Sequence, residues 1–126
     1  MIQVGTHLKV ADNSGAREVY CIGVLSGYRQ RYSYIGDIIK VAVKKIRNRR
    51  RESVKIKKGE ISDALIVRTK FSSINSTGLI SFFENSVVLL TKQKKLVGTR
   101  LFGAFPKSFR TSKYMRLAFL GSGILK

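Results

Sequence analysis

The sequence predicts a mainly β protein, a small closed barrel of about five short strands. Apolar residues recur along much of the chain with a spacing of two, which is the period of a strand. Turn-forming residues such as Asp12-Asn13-Ser14-Gly15 separate these runs. Because no repeat, long linker or low-complexity segment is visible, we expect one domain over residues 1–126. The barrel should cover about 1–103 and a C-terminal section about 104–126.

Alternation predicts three strands in the first part of the chain. In the first strand, Lys9 separates Leu8 from Val10. The second is expected to carry on one face the residues Val19, Cys21 and Leu25. The third alternates Ile39, Val41 and Val43 with Lys40, Ala42 and Lys44. This pattern places the apolar side chains in the barrel and the lysines outside it.

The later elements have different signatures. Leu65 to Arg68 continues the alternation, whereas Val87 to Leu90 is continuously apolar and suits a strand buried on both faces. Pro106 is placed to open a short helical turn that runs to Arg110. The segment from Tyr114 to Leu120 fits either a strand or a helix.

Charge is the strongest functional signal in the chain. There are 25 Lys and Arg against 7 Asp and Glu, a formal charge of +18. Such a charge favours a polyphosphate partner and disfavours a compact state in isolation. A hydrophobic content of 44% argues against a disordered basic tail, so the chain is expected to fold around a core. RNA is favoured over DNA because no motif that places a helix in a major groove is visible.

The charge is concentrated between Lys44 and Lys58, where nine of fifteen residues are Lys or Arg and Glu52 is the one acid. A solvated charged loop is the alternative interpretation, but such a block of like charge favours a nucleic-acid partner. Arg29 and Arg31 alternate with tyrosines in a second loop. These tyrosines, Tyr28, Tyr32 and Tyr34, either stack on unpaired bases or close one end of the barrel.

No catalytic or cofactor chemistry is expected. The acids are scattered, and His7 has no evident partner for acid–base work. A single cysteine, Cys21, excludes an internal disulfide and fits a small buried hydrophobe. No metal-ligand set, phosphate loop or dinucleotide fingerprint is visible, so we predict no cofactor and no enzyme. Membrane insertion is not expected, because the apolar runs are short and the first residues lack the features of a signal peptide or presequence.

Read residue by residue, the chain resembles the large-subunit ribosomal protein L-fourteen family. The matching blocks lie in order along nearly the whole chain. They are Met1-Ile2-Gln3, Leu8 to Arg17, Cys21-Ile22, Arg31-Tyr32, Ile35 to Ile39, Val54 to Gly59, Ala64 to Lys70, and Val97 to Gly103. The resemblance implies a five-stranded β-barrel and a short C-terminal section with one or two short helices. It also implies a non-catalytic structural role in the large ribosomal subunit.

The resemblance further implies binding to large-subunit rRNA, inter-subunit bridges with small-subunit rRNA, and a ribosomal protein L-nineteen family neighbour. It places RNA contacts on the turn and on the basic loops and strands. These residues are Asn13, Ser14, Arg17, Arg29, Arg31, Lys40, Lys44, Lys45, Arg47, Arg49, Arg50, Arg51, Lys55, Lys57, Lys58, Arg68 and Lys70. A ribosome silencing factor docks on the family's C-terminal region, and the matching positions are Thr99, Arg100 and Arg116.

Three segments depart from the family pattern: 75–86, the section after Pro106, and the C-terminus 120–126. The chain is also rich in Lys, Ile, Phe, Tyr and Ser, which suits an AT-biased organelle genome. We therefore expect a mitochondrial ribosome, with the bacterial cytoplasm or a plastid as alternatives. The alternative function is a free-standing barrel that binds single-stranded nucleic acid as a chaperone or regulator.

Overall fold

Five strands close into a barrel. In the order of the barrel they are β1 (His7–Val10), β2 (Ala16–Val24), β3 (Ile38–Ile46), β4 (Ile61–Arg68) and β7 (Ser86–Leu90). Neighbouring strands pair antiparallel except at the seam, where β1 runs parallel to β7 through Lys9–Ser86 and Val10–Val87. The predicted mainly β fold with a closed five-stranded barrel is confirmed.

Four further strands and two helical segments lie outside the barrel, in a computed structural model that describes residues 1–47, 55–75, 78–110 and 114–125. β5 (Ser73–Asn75) and β6 (Gly78–Ile80) form a separate two-stranded sheet. β8 (Leu101–Pro106) and β9 (Gly121–Leu125) pair in parallel. Between them lie a 3-10 helix (Lys107–Phe109) and α1 (Met115–Leu120). The helical turn predicted after Pro106 is confirmed, and the ambiguous segment from Tyr114 forms a helix.

Side-chain alternation explains β1 and β3. Leu8 and Val10 are buried while Lys9 is exposed, and Ile39, Val41 and Val43 are buried. The expectation for Leu25 was wrong, because β2 ends at Val24 and Leu25 is 54% exposed. A register shift between Cys21 and Gly23 is the physical reason. Such a bulge changes which face the following residues occupy.

The strands β4 and β7 belong to two hydrophobic cores at once. Ala64, Ile66, Val87 and Leu89 point into the barrel core. The side chains between them, Leu65, Val67, Val88 and Leu90, join a second core with Phe105, Phe109 and Leu117 from the C-terminal section. The predicted double burial of the continuous apolar run is confirmed, because β8 and α1 cover the outside of the barrel at these strands.

A buried arginine ties the end of β4 to β8. Arg68 is 7% exposed and its Nη1 donates to the carbonyl oxygen of Phe102 at 2.7 Å. The lost hydration lowers the pKa of Arg68, and the nearby Glu84 opposes that shift. Gly103 has a φ of +85°, and a Cβ there would lie 2.8 Å from Arg68 Cζ and overlap Nη1. Glycine at this position therefore provides both the backbone geometry and the space for the guanidinium.

We expect Gly103→Ala to lower the free energy of unfolding by about 2 kcal/mol or more. The added methyl group would clash with Arg68, and alanine would be strained at the left-handed φ of this position. Gly36→Ala is the matched control, since Gly36 has a φ of +93° and open space around its Cβ position. Urea unfolding of the three purified proteins checks this. Equal losses for the two variants would contradict the close contact with Arg68.

Candidate nucleic-acid interface

The carboxylates in the described parts of the chain are engaged within the fold. Three of them form ion pairs: Glu18 with Lys45 at 2.8 Å, Asp63 with Lys40 at 3.7 Å, and Glu84 with Lys9 at 2.8 Å and Arg68 at 3.6 Å. The other three accept backbone N–H groups: Asp12 from Ser14 and Leu89, Asp37 from Tyr34, and Glu60 from Lys57. None of these six acids is left over as a paired-carboxylate site.

Most of the positive charge consequently has no internal counter-charge. Among the residues that the structure describes, nine of the predicted RNA-binding residues are exposed and form no ion pair. They are Arg17, Arg29, Arg31, Lys44, Arg47, Lys55, Lys57, Lys58 and Lys70. Lys40 and Lys45 are exposed but paired with acids. Arg49, Arg50 and Arg51 lie outside the described residues.

Two predicted RNA-binding residues have buried side chains. Ser14 is 2% exposed, and both its N–H and its hydroxyl donate to Asp12 Oδ1. Arg68 lies between β4 and β8, where it donates to Phe102 and Ala104 carbonyl oxygens. The resemblance placed Arg68 on the basic face, and its burial was not expected because arginine is mostly exposed in proteins. Both side chains stabilise the fold from inside.

A basic cleft of about 410 Å³ lies where β1, β2 and β8 meet. Four cations and two acids line it, so the cations are in excess. These residues are Lys9, Arg17, Arg47, Arg68, Glu18 and Glu84. The Arg47 guanidinium lies 5.6 Å from the centroid of the Phe102 ring. Cations beside an accessible ring can hold a phosphate and contact a sugar or base. Lys9 was missed as a site residue, although its alternation with Leu8 and Val10 was a signal for its exposure.

The turn at Asp12 to Gly15 is joined to a loop 86 residues further along the chain. Asn13 Oδ1 accepts the N–H groups of Thr99 at 2.8 Å and Arg100 at 3.1 Å, and its Nδ2 donates to Thr99 Oγ1 at 2.9 Å. A Cβ on Gly98 would lie 2.8 Å from the Asp12 Cβ, so the loop approaches closely only with glycine. Asn13 therefore holds the backbone of two predicted partner-binding residues, Thr99 and Arg100, in place through hydrogen bonds.

The tyrosine-rich loop between β2 and β3 presents its rings outward. Tyr28 is 90% exposed, and the Arg29 guanidinium lies 5.3 Å from its ring centroid. Arg29 has a left-handed φ of 54°, which is uncommon for a residue with a side chain. The loop is anchored at Ser33, whose backbone exchanges two hydrogen bonds with Ile2 at 2.7 and 2.8 Å. These exposures favour contact with a partner over closure of the barrel end.

Arg116 lies in different surroundings from Thr99 and Arg100. It is exposed on α1 and lines a hollow of about 270 Å³ together with Lys94, Lys95 and Leu117. Since Lys94 and Lys95 add positive charge at this hollow, an acidic segment of a partner suits it better than a basic one.

Two further sequence predictions concern single residues. Burial raises the pKa of the Cys21 thiol, and a backbone hydrogen bond with Gly23 opposes that shift. The His7 ring packs edge-on against Tyr20 with 5.0 Å between centroids.

In the described ranges, no cluster of three His, Cys, Asp or Glu that could hold a metal ion occurs. Within the same ranges, no helix is long and apolar enough to cross a membrane.

The ion pair at the cleft predicts a pH dependence of stability. The hydrogen bond from Lys9 holds the pKa of Glu84 below its usual range, with burial opposing and Ser86 adding to the effect. A carboxyl whose folded pKa is lowered stabilises the fold above its unfolded pKa, and this contribution is lost as pH falls through the folded pKa. We expect Glu84→Gln to be less stable than the parent at pH 7, and the difference to narrow as the pH is lowered from 7 towards 3, measured by urea unfolding.

Lys9→Met is the matched variant, since it removes the other partner of the same pair. It should show the same convergence with the parent at low pH. A stability gap for Glu84→Gln that is the same at pH 7 and pH 3 would mean that the ion pair does not stabilise the fold.

Comparison with known families supports the resemblance seen in the sequence. The family model for ribosomal protein L14p/L23e matches residues 1–125, which is nearly the whole chain. This family is ribosomal and its proteins have a structural, non-enzymatic role. The closed barrel, the basic surface and this match agree, and the chain belongs to the ribosomal protein L14p/L23e family, as a structural protein of the ribosome.

Proposed function

We propose that the chain is a constituent of the large ribosomal subunit that binds large-subunit rRNA as one domain over residues 1–126. The observation that carries this proposal is the set of exposed lysines and arginines without internal counter-charge. The chain has a formal charge of +18, and its six described acids are already bonded within the fold. The surplus positive charge therefore needs an external polyanion. The family role of the protein makes rRNA the natural polyanion.

Binding would work mainly through phosphate contacts. Lysines and arginines that neutralise phosphates release condensed counterions, and this release supplies much of the binding free energy. Arg17 and Arg47 share the basic cleft, so one backbone segment can meet both. Lys44 lies over the Tyr20 ring at 5.4 Å on the neighbouring barrel wall. The same role is proposed for Arg49, Arg50 and Arg51, whereas Ser14 and Arg68 act through the fold.

Tyr28 would add a contact of another kind. Its ring is exposed and one side is already covered by Arg29, so the other side can stack on an unpaired base. Stacking on a ring is tolerant of base identity but needs a base that is out of a helix. This loop would therefore seat the protein at a single-stranded or bulged part of the rRNA.

The proposal extends to protein neighbours and the subunit interface. The protein would contribute to a bridge with small-subunit rRNA beside a ribosomal protein L-nineteen family neighbour. Thr99, Arg100 and Arg116 would receive a ribosome silencing factor, with Asn13 holding the loop of the first two. The composition of the chain supports a mitochondrial ribosome, and the bacterial cytoplasm or a plastid is the alternative.

Sucrose-gradient fractionation tests the main proposal. After a high-salt wash of source-cell and organelle lysates, the protein should stay with the large subunit, and the fraction identifies the compartment. Arg17→Glu with Arg47→Glu should lower retention, because two phosphate contacts are lost and the new carboxylates repel the backbone. The slope of log K against log salt should also become shallower. Lys107→Glu carries the same type of charge change outside the cleft and should retain binding. Recovery of the unchanged protein at the top of the gradient would favour a free-standing nucleic-acid binder.

The stacking contact is tested separately with Tyr28. We expect Tyr28→Ala to weaken binding to large-subunit rRNA by roughly fivefold to a hundredfold, the usual range for a lost base–ring stack. Tyr28→Phe should keep the affinity because it keeps the ring. Arg31→Ala should instead reduce the salt dependence, which Tyr28→Ala leaves unchanged. Filter binding at four salt concentrations distinguishes these results, and equal losses for the Ala and Phe variants would exclude stacking.

Docking of a silencing factor is tested with Arg100→Glu in a pull-down with the purified factor. We expect loss of capture, because reversal of charge at the supported loop would repel an acidic surface. Lys107→Glu is again the control, and unchanged capture by Arg100→Glu would remove the proposed docking site.

A further inference from the structure

A further cavity, which we call the β4 hollow, lies where β4 begins. It is lined by residues of β3, β4 and β7, by the segment 55–60 that leads into β4, and by the segment 91–97 that follows β7. Its volume of about 960 Å³ falls in the range that is usual for small-ligand sites. The β4 hollow shares no residue with the basic cleft, so its chemistry can be considered by itself.

A row of three side chains crosses the barrel strands at this hollow. Asp63 of β4 lies directly opposite Lys40 of β3 and directly opposite Leu90 of β7. Side chains paired in this way project from the same face of a sheet. Since Ile39 and Val41 fill the barrel core, Lys40 and its two neighbours face outward. The row therefore places a carboxylate between a cation and an apolar side chain.

The Asp63 carboxylate has unused capacity to accept hydrogen bonds. Its ion-pair partner Lys40 lies 3.7 Å away, which is beyond the roughly 2.7–3.2 Å of a good N–H···O bond. The other five acids in the described ranges each accept an N–H or ammonium group at 3.0 Å or less. Only 18% of the Asp63 side chain is exposed, so water does not fully replace the missing donor. These features indicate a ligand that brings N–H groups.

The residue before Asp63 has an unused polar atom as well. Ser62 Oγ is buried and has no hydrogen-bond partner among the residues that the structure describes. Buried polar atoms in native proteins are nearly always paired, so such an atom calls for a missing partner. Ser62 and Asp63 leave β4 on opposite faces, yet both line the β4 hollow. Two consecutive residues with unsatisfied oxygens thus line one cavity.

The charges that line the β4 hollow narrow the class of ligand. Lys55 and Lys92 are exposed there and take part in no ion pair within the described ranges, so they suit a phosphate. A simple anion would leave Asp63 without a donor, and the lysines would repel a metal ion or a polyamine. A nucleotide carries a phosphate and, on its base, N–H donors. It is therefore the ligand that satisfies both kinds of group.

The carboxylate also distinguishes between the bases. Guanine presents N1–H and N2–H side by side on its Watson–Crick edge, and these two donors match the two oxygens of a carboxylate. Adenine and cytosine present one amino group beside an acceptor, and uracil presents one N–H between two carbonyl oxygens. Unpaired bases in RNA are recognised on this edge. Leu96 and the 59% exposed Ile61 line the same hollow and provide apolar contact for a ring.

We propose that the β4 hollow binds an unpaired guanosine nucleotide of RNA. Asp63 accepts N1–H and N2–H of the base, and Lys55 and Lys92 contact a neighbouring phosphate. This inference rests on the RNA binding proposed above. It adds a contact that selects a base, which phosphate contacts cannot do.

Fluorescence anisotropy with labelled RNA heptamers tests it. The purified full chain is titrated with heptauridylate and with heptamers whose central uridine is replaced by guanosine, inosine, adenosine or cytidine. The salt concentration is set high enough to weaken non-specific phosphate binding. We expect the guanosine heptamer to bind about tenfold tighter than heptauridylate, as a good bidentate base contact allows. The inosine heptamer should lie between them, because inosine lacks the 2-amino group.

Substitutions connect the selectivity to the hollow. Asp63→Asn keeps the size of the side chain but replaces one acceptor oxygen with an amino group, so the guanosine heptamer and heptauridylate should bind equally. Glu18→Gln is the matched control, since it removes the same charge at the basic cleft and should keep the tenfold ratio. Lys92→Ala should weaken binding of every heptamer and make its salt dependence shallower. Urea unfolding shows that each variant is folded, and the heptamer series in the unaltered chain needs no variant.

Several results would overturn the inference. Equal affinity for the guanosine and uridine heptamers, with a steep salt dependence, would exclude the guanosine site and leave RNA binding standing. The site would also be excluded if adenosine or cytidine bound as tightly as guanosine, or if Asp63→Asn kept the tenfold ratio. Failure of every heptamer to bind would contradict both the guanosine site and the RNA binding on which it rests.

Discussion

Excess positive charge is the constraint on which the architecture of this protein depends. A chain with 25 cations and 7 acids repels itself when compact, and a small domain has little stability in reserve. In the described parts of the chain, the acids form ion pairs or accept backbone hydrogen bonds that stabilise the fold. Asp12 secures a buried turn against β7, and Glu84 lies between Lys9 on β1 and Arg68 on β4. Most of the other cations in the described ranges are exposed, where a polyanion can neutralise them.

The double role of β4 and β7 links this surface to the C-terminal section. One set of their side chains fills the barrel, and the other packs against Phe105, Phe109 and Leu117. Arg68 and Gly103 then fix the path of β8, which places Phe102 beside Arg47 in the basic cleft. The position of the cleft is therefore set by packing on the far side of the barrel wall. A change in the second core should therefore be felt at the cleft, since Ala11 belongs to that core and also lines the cleft.

Periodicity was enough to predict most of the barrel. Val41 and its neighbours in β3 alternate cleanly, and the apolar run in β7 predicted burial on both faces. Periodicity could not predict three features. The bulge between Cys21 and Gly23 shifts the register, so Leu25 was misplaced; the isolated Gly23 marks it, but alternation of apolar residues does not use that signal. The bonds from Asn13 to Thr99 join positions 86 residues apart, and the burial of Arg68 depends on carbonyl groups 34 residues away.

Charge and apolar packing act over different distances in this protein. Charge acts over a Debye length of about 8 Å in physiological salt. The exposed guanidinium groups of Arg17 and Arg47 can therefore attract a polyanion before any contact forms. Apolar packing acts only at contact, and the two hydrophobic cores hold the cleft in shape by such contacts. Because salt screens the first interaction and not the second, a rise in ionic strength should weaken binding of the polyanion before it weakens the fold.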